Sequence, residues 1–440
     1  MVEHTTENRG VGGSIPPLTT AHPTLVLLCA PSLGVLDNWL PVLHAAREAR
    51  RTGSGWRIIA LIPEPAILTQ LDPSDTAHRL ADELLDATVA PLVGGGWVVA
   101  PGFLRAADIA RPTAMAERLP RPLRRLARTR TQRAALIDAS VLDAADNRLL
   151  YDLELHEKQR IAPLLASFGR TPRWSHHHGI ELEEVGERSV RLEPSGLAHA
   201  AFLYGKSEIE AYATNYGLDR SVLHPVGVAR HEPDWVRSIV ERSSALHALP
   251  FDRFVFVVSR PAGSPYLPRE RKVAALRALH TVAWEVHGLP LVLRTHPKEH
   301  EDGTLAEALP ASGEGISWSR SRAHPFHLAT RSELAVTFFS GVAVDLVALG
   351  VPVVELLDVR GIAAYDGPDA PRDARGRPRF GPYRRDGLVI PADDADDLRA
   401  VFARIAEDRD GTLSGLRAAM DDRFTDPRGA ALRMLGLLSA

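Results

Sequence analysis

In the second half of the chain, three pairs of polar residues stand where short apolar runs end. Ser259 and Arg260 follow Phe254 to Val258, Arg294 and His296 close the run that begins at Pro290, and Ser340 and Gly341 follow Leu334 to Phe338. Runs this short and this apolar read as buried strands. Polar groups at the carboxyl ends of such strands face the crevice where open α/β sheets take their ligands. The chemistry on offer is anion binding. Arg294 could pair with a diphosphate or a donor carboxylate, and His296, aimed by the backbone bend at Pro297, could donate to a phosphate oxygen or leaving group. Ser340 adds a hydroxyl, Gly341 admits an anion close to the backbone, and the first N–H groups of a helix starting at Val342 lack intrahelical partners. A phosphate is the natural guest, with a plain strand-to-helix turn as the alternative.

In the first half, Trp174-Ser-His-His-His-Gly179 sets three histidines before a glycine where a strand should end. A near-neutral imidazole there suits a general base that deprotonates a hydroxyl. His178 is the expected base, or His177 if the register differs; the alternative is one histidine satisfied by backbone and two on the surface. No partner ligands at metal-binding spacing lie nearby, so the expectation is no metal and no cofactor. Ser32, Gly34 and Asp37, in and after the loop that closes the first strand, are the candidate acceptor-binding residues.

These residues need a frame. Strands are expected at Thr24 to Cys29, Arg57 to Ile62, Gly96 to Ala100, Ala135 to Asp138 and Ala200 to Tyr204, with helices between them. The same alternation restarts at Phe254, and alternation of this kind predicts parallel sheets with right-handed crossovers. With 440 residues the chain exceeds what one core normally holds. The expected organisation is a loose tail at 1–23, an N-terminal Rossmann-like domain at 24–228, a linker at 229–250, and a C-terminal Rossmann-like domain at 251–440 whose terminal helix is free to pack back on the first domain; the resemblance given below implies that the first binds acceptor, the second the nucleotide donor, and that the linker is the hinge. The fold class is α/β, two Rossmann-like domains facing a central cleft. Residues 366–385, dense in Pro, Gly, Asp and Arg, read as a long loop.

A net charge of −3 gives no general pull toward nucleic acid. The expected helix from Arg118 to Arg133 is rich in arginine, either as a solvated face or as a landing patch for an anionic acceptor or peripheral membrane contact. The single cysteine, Cys29, allows no internal disulfide and reads as a buried structural thiol. No apolar run approaches the roughly 20 residues needed to span a bilayer. The polar first 20 residues lack signal-peptide character, so a cytoplasmic location is expected. Neither half shows GxGxxG after a strand or a P-loop, which lowers nicotinamide and P-loop chemistry.

Arg294-Thr-His296-Pro297, followed by Phe339-Ser340-Gly-Val-Ala-Val-Asp345 and Gly350-Val-Pro352, resembles the C-terminal half of GT-B-fold glycosyltransferases. The pattern is most similar to enzymes with cytidine-activated donors: the CDP-glycerol glycerophosphotransferases and the capsule-type Kdo and sialic acid transferases. His178-Gly179 resembles the "HG" element of the former, and Leu223 to Trp235 their link into the second domain. The resemblance implies a transferase in which His296 and Ser340 bind donor phosphate, Asp345 supports the phosphate-binding helix or touches the donor, and His178 is the base. Its partners would be a CMP- or CDP-linked donor and a hydroxyl acceptor. Gly341 and Val351 depart from the family pattern, which usually has Ser or Thr and Lys there. A UDP-sugar 2-epimerase or hydrolase and a catalytically silent GT-B-like scaffold are the alternatives.

Overall fold

A computed structural model describes residues 23–29, 33–51, 53, 55–63, 75–91, 97–103, 135–137, 142–152, 168–177, 199–263, 266–296, 299, 303–362, 365–366, 368, 376 and 381–440. Continuous buried runs such as TLVLL, RIIAL and FVFVV form central strands covered on both faces, as buried parallel sheets require. In the first half the strands are β1 (Thr24–Leu28), β2 (Arg57–Leu61), β3 (Ala87–Pro91), β4 (Trp97–Pro101), β5 (Ala135–Ile137), β6 (Arg148–Asp152), β7 (Arg173–His176), β8 (Ala200–Leu203) and β9 (Leu223–Pro225). They make one sheet in the order β5-β4-β3-β2-β1-β6-β7-β8-β9. β4 pairs antiparallel with both β3 and β5, which corrects the all-parallel expectation at that edge. β3 and β6 were not expected from the sequence, yet β6 flanks β1 on the side opposite β2. The chain reverses its direction of travel between β1 and β6, and that switch point opens the first crevice.

The second sheet holds β10 (Phe254–Val258), β11 (Leu291–Arg294), β12 (Trp318–Arg320), β13 (Ser332–Thr337), β14 (Val353–Leu356) and β15 (Ile390–Ala392). Its order is β12-β11-β10-β13-β14-β15, with every pair parallel. Counted within the domain this is 3-2-1-4-5-6, the dinucleotide-binding Rossmann order, and its switch point lies between β10 and β13. Phe254, Phe256, Leu293, Val336 and Phe338 belong to one core in the second domain, whereas the first sheet is covered by separate clusters, Leu27, Trp39, Leu40 and Ile58 in one and Val26, Leu28, Ile59 and Leu61 in another. Both domains are Rossmann-like, each built on a largely parallel sheet with a switch point.

The segment expected as a linker is mostly a helix, Pro233–Leu246, opened by proline at its first turn. Its Trp235 and Ile239 join the N-terminal core. The last helix, Ala430–Ser439, also leaves the C-terminal domain, and its Ala430, Met434, Leu435 and Leu438 pack among Leu36, Trp39 and Leu43. Arg148 Nε reinforces this by donating to the Leu438 carbonyl at 2.8 Å. Cys29 is buried and its thiol is pushed up to about 12 by that burial, the inert state expected of it. Among the described residues, no helix is long and apolar enough to cross a membrane. The arginine-rich stretch from 118 to 133 lies outside the described residues.

Candidate active site at the facing strand ends

Register fixes the core of the site. Val258 of β10 pairs with Arg294 of β11 on one side and with Thr337 of β13 on the other. Arg260, His296 and Phe339 each stand two residues beyond that row, so they crowd the same sheet edge, with Ser340 one residue further. Arg260, His296, Phe339, Ser340, Gly341 and Val342 are all partly exposed. Arg260 spans the switch point: its Nη1 donates to the Phe339 carbonyl, and its guanidinium lies over the Tyr266 ring at 5.7 Å. Phe339 has φ 65°, a left-handed backbone that costs a non-glycine residue energy. Surrounding contacts hold it there: its ring meets Tyr266 and Tyr383, each at 5.4 Å, and a Cβ on Gly381 would come within 2.7 Å of it. The strained turn delivers Ser340 and Gly341 to the crevice, where the Ser340 hydroxyl accepts from the Val342 N–H at 3.4 Å. The helix that follows is short, Val342–Ala348.

Two expected donor-binding residues serve the scaffold instead. Ser259 is buried and its hydroxyl donates to Glu299 Oε1 at 2.8 Å, because the strand's alternation turns it inward. Glu299 also pairs with the fully buried Lys272, and its other oxygen accepts the His296 N–H at 3.1 Å. This buried set therefore ties the ends of β10 and β11 together and anchors the His296 backbone. Arg294 is likewise occupied. Its Nη1 donates to the carbonyls of Arg322 and Ala323, and its Nη2 reaches Asp75 of the N-terminal domain at 3.3 Å. It acts as a strap between domains rather than as a group free for a diphosphate. Pro297 lies outside the described residues.

Asp345 is buried at the domain seam, where it accepts from Arg230 Nε at 2.8 Å and from His231 Nε2 at 2.7 Å. Of the two roles expected for it, this geometry fits support of the helix. Arg230 Nη1 continues to Asn38 Oδ1 at 2.9 Å in the first helix of the N-terminal domain, Leu33–Arg51. Asn38 Nδ2 donates to the His177 carbonyl and lies 3.0 Å from the Tyr204 hydroxyl, which itself donates to that carbonyl at 2.8 Å. Sequence reasoning missed Asn38, Tyr204, Arg230 and His231; the partners of Arg230, Asp345 and Asn38, lie 115 and 192 residues from it, and no local period marks any of the four.

Asp37 lies one residue before Asn38 and is partly exposed, with Oδ1 3.7 Å from His324 Nε2. His324 Nδ1 accepts the Phe326 N–H at 3.2 Å, so in the neutral ring the proton sits on Nε2, facing Asp37 across the seam. Burial alone would raise the Asp37 carboxyl, but His324, Arg230 and Arg294 outweigh it and hold the group below its usual range. Gly34 falls in the first turn of the same helix, and Ser32 lies outside the described residues.

Two histidines of the run are described, and both are buried. His176 is buried beside Trp39 and Tyr204, and its Nδ1 donates to the Phe202 carbonyl at 2.9 Å. Burial lowers its pKa to about 4. His177 is also buried, at 1% exposure, with its ring edge-on to Tyr212 at 5.9 Å. A ring packed into the domain interior does not meet an acceptor hydroxyl, which corrects the alternative placing of the base at His177. His178 lies outside the described residues. Below β8, Glu208 is buried and accepts the N–H groups of Tyr204 at 2.7 Å and Gly205 at 2.9 Å. Burial raises its pKa to about 7.

No protein-family model matches the chain, and no curated protein matches it in sequence. Solved structures do match in fold. The wall teichoic acid polymerase TagF superposes with a TM-score of 0.51 at 14% identity, covering 94% of this chain and 88% of that one. A variant of TagF soaked with CDPG gives 0.51 at 13% identity, covering 96% and 89%. The UDP-GlcNAc 2-epimerase from Neisseria meningitidis, bound to UDP-GlcNAc, gives 0.52 at 10% identity, covering 94% and 99%. At such low identity the likeness is one of fold: this chain has the GT-B-type architecture shared by those enzymes.

Proposed function

We propose that this chain is a GT-B transferase that moves a sugar or polyol-phosphate from a nucleotide-activated donor, CMP- or CDP-linked, to an acceptor hydroxyl without a metal. The observation that carries this reading is the row formed by Arg260, His296 and Ser340 at the switch point of a 3-2-1-4-5-6 sheet, facing a second Rossmann-like domain. The donor's phosphate would sit against that row. The acceptor would enter from the side of Asp37 and Gly34, its hydroxyl losing a proton to His178 as its oxygen attacks the transferred group. The bond to the nucleotide phosphate breaks, and His296, Ser340 and Arg260 stabilise the charge left on that phosphate. Fixed donors of this kind supply several kcal/mol, so His296→Ala and His178→Ala should each lower turnover by about 100-fold or more.

A thermal-shift panel with CMP, CDP, UDP and GDP tests the donor site first, since a ligand of the folded state raises the Tm. A cytidine nucleotide should give the largest shift, and no shift with any of the four would leave only a silent scaffold. The epimerase likeness keeps one rival open, a UDP-sugar epimerase or hydrolase. Product analysis separates them: the transferase consumes donor only when acceptor is present, whereas the rival converts or hydrolyses UDP-sugar alone.

A further inference from the structure

We propose that Tyr383 is a positioning residue, holding the backbone of Phe339 in its left-handed conformation so that Ser340 faces the donor phosphate. This rests on the reading of the Arg260, His296 and Ser340 row as the phosphate site given above. Among the described residues Phe339 is the one non-glycine with positive φ, at 65°. Left to itself an aromatic residue leaves that region, so neighbouring contacts must fix it. Three meet it there. Arg260 Nη1 donates to its carbonyl, and the rings of Tyr266 and Tyr383 each lie 5.4 Å from its own. Arg260 and Tyr266 belong to the crevice and are partly exposed. Tyr383 is buried, at 4% exposure, on the short helix Pro382–Arg385, so its influence on a ligand passes through Phe339.

That helix is fixed by the outer strands of the sheet. Arg384 follows Tyr383, and its Nε donates to Glu355 Oε2 and its Nη1 to Asp393 Oδ1, each at 2.7 Å. Its Nη2 donates to the carbonyls of Glu355 and Leu357 at 2.9 Å, so the planar fork is held at the ends of β14 and β15. The helix lies so near the Phe339 ring that a Cβ at Gly381 would come within 2.7 Å of it. A disfavoured backbone persists only where its surroundings over-determine it. Tyr383 thus carries the fixed geometry of β14 and β15 into the turn that presents Ser340, and small displacements of such a donor cost large factors.

Two substitutions separate backbone from packing. Tyr383→Ala releases the Phe339 ring, and Phe339→Gly lets position 339 keep the left-handed backbone unaided, since glycine has no Cβ to clash. Calorimetry with CDP on the full chain reads the phosphate site. Tyr383→Ala should weaken CDP binding about 10-fold. Adding Phe339→Gly should recover about fivefold of that loss, whereas adding Phe339→Ala should recover none. A Tyr383→Ala, Phe339→Gly double variant that binds no tighter than Tyr383→Ala would overturn the proposal. A lowered Tm with unchanged CDP affinity per folded molecule would make Tyr383 structural only and overturn it too. Should Tyr383→Ala fail to fold, Tyr383→Leu is read the same way. Amide hydrogen exchange follows the turn without a ligand, because the Ala343 and Val344 N–H groups donate to the carbonyls of Ser340 and Gly341 at 3.0 and 3.1 Å. Exchange at both should rise about tenfold in Tyr383→Ala and fall back when Phe339→Gly is added. Wild-type exchange there in Tyr383→Ala would show that Tyr383 does not hold the turn. If the wild-type chain binds no CDP, the cytidine-donor reading fails, while the exchange experiment still decides the role of Tyr383.

Discussion

At the carboxyl edge of the C-terminal sheet, Arg260, His296 and Ser340 are partly exposed, and the charged pair behind them, Lys272 and Glu299, is buried. At the matching edge of the N-terminal sheet, the described polar groups Asp152, His176, His177 and Glu208 are all buried. One edge keeps polar groups open to a ligand and braces them from beneath. The other spends His176 and Glu208 on internal bonds to the Phe202 carbonyl and to the N–H groups of Tyr204 and Gly205. The first arrangement suits a phosphate that must be met by prearranged donors, and the second suits a wall that must not move.

The sharpest way to break this contrast is to remove the brace. Lys272→Met leaves the Glu299 carboxylate buried without its cation, which should cost about 3–5 kcal/mol. Chemical denaturation measures it, and an unchanged midpoint would show that the buried pair contributes nothing. On the N-terminal side, Glu208→Gln probes the opposite edge. Burial raises the Glu208 carboxyl from its usual 4.5 to about 7, so the folded chain favours the protonated form. Its contribution to stability is therefore present below about pH 4.5 and is lost as pH rises toward 7. The amide stays neutral, so Glu208→Gln should gain about 3 kcal/mol on wild type between those limits. Parallel stability–pH curves for the two proteins would refute this. The smallest expected effect belongs to the open edge: Ser340→Ala removes one hydroxyl and should lower turnover about tenfold, with little change in Tm. A large loss of Tm would mean that Ser340 is part of the scaffold.

The donor half was legible because its central strands announce themselves. FVFVV and Leu291 to Leu293 are apolar throughout, and Leu334 to Phe338 is broken only by Thr337. Edge strands β12 and β15 are three residues each, too short for a period to register. β6, RLLYD, escaped because charged residues at both ends leave only Leu149 to Tyr151 between them, although it defines the first switch point. Among site residues, His296 and Ser340 stand where strand ends put them. Ser259 and Arg294 have the right chemistry, but register and long-range partners claim them. Within the seam, Asp345 was marked by the motif that carries the resemblance, whereas Asn38 and Arg230 left no trace in local pattern, since they satisfy residues more than a hundred positions away.

The chain passes between the domains twice, after β9 and before the last helix, and the two passages touch. Gly227, at φ 88°, lies so close to the second that a Cβ there would come within 2.8 Å of the Thr425 carbonyl, and Arg433 Nη2 donates back to the Val226 carbonyl at 2.6 Å. The spine of the molecule is therefore two-ply, with both plies stitched together. A side chain at position 227 would therefore force the two crossings apart, and glycine is the residue that lets them lie against each other.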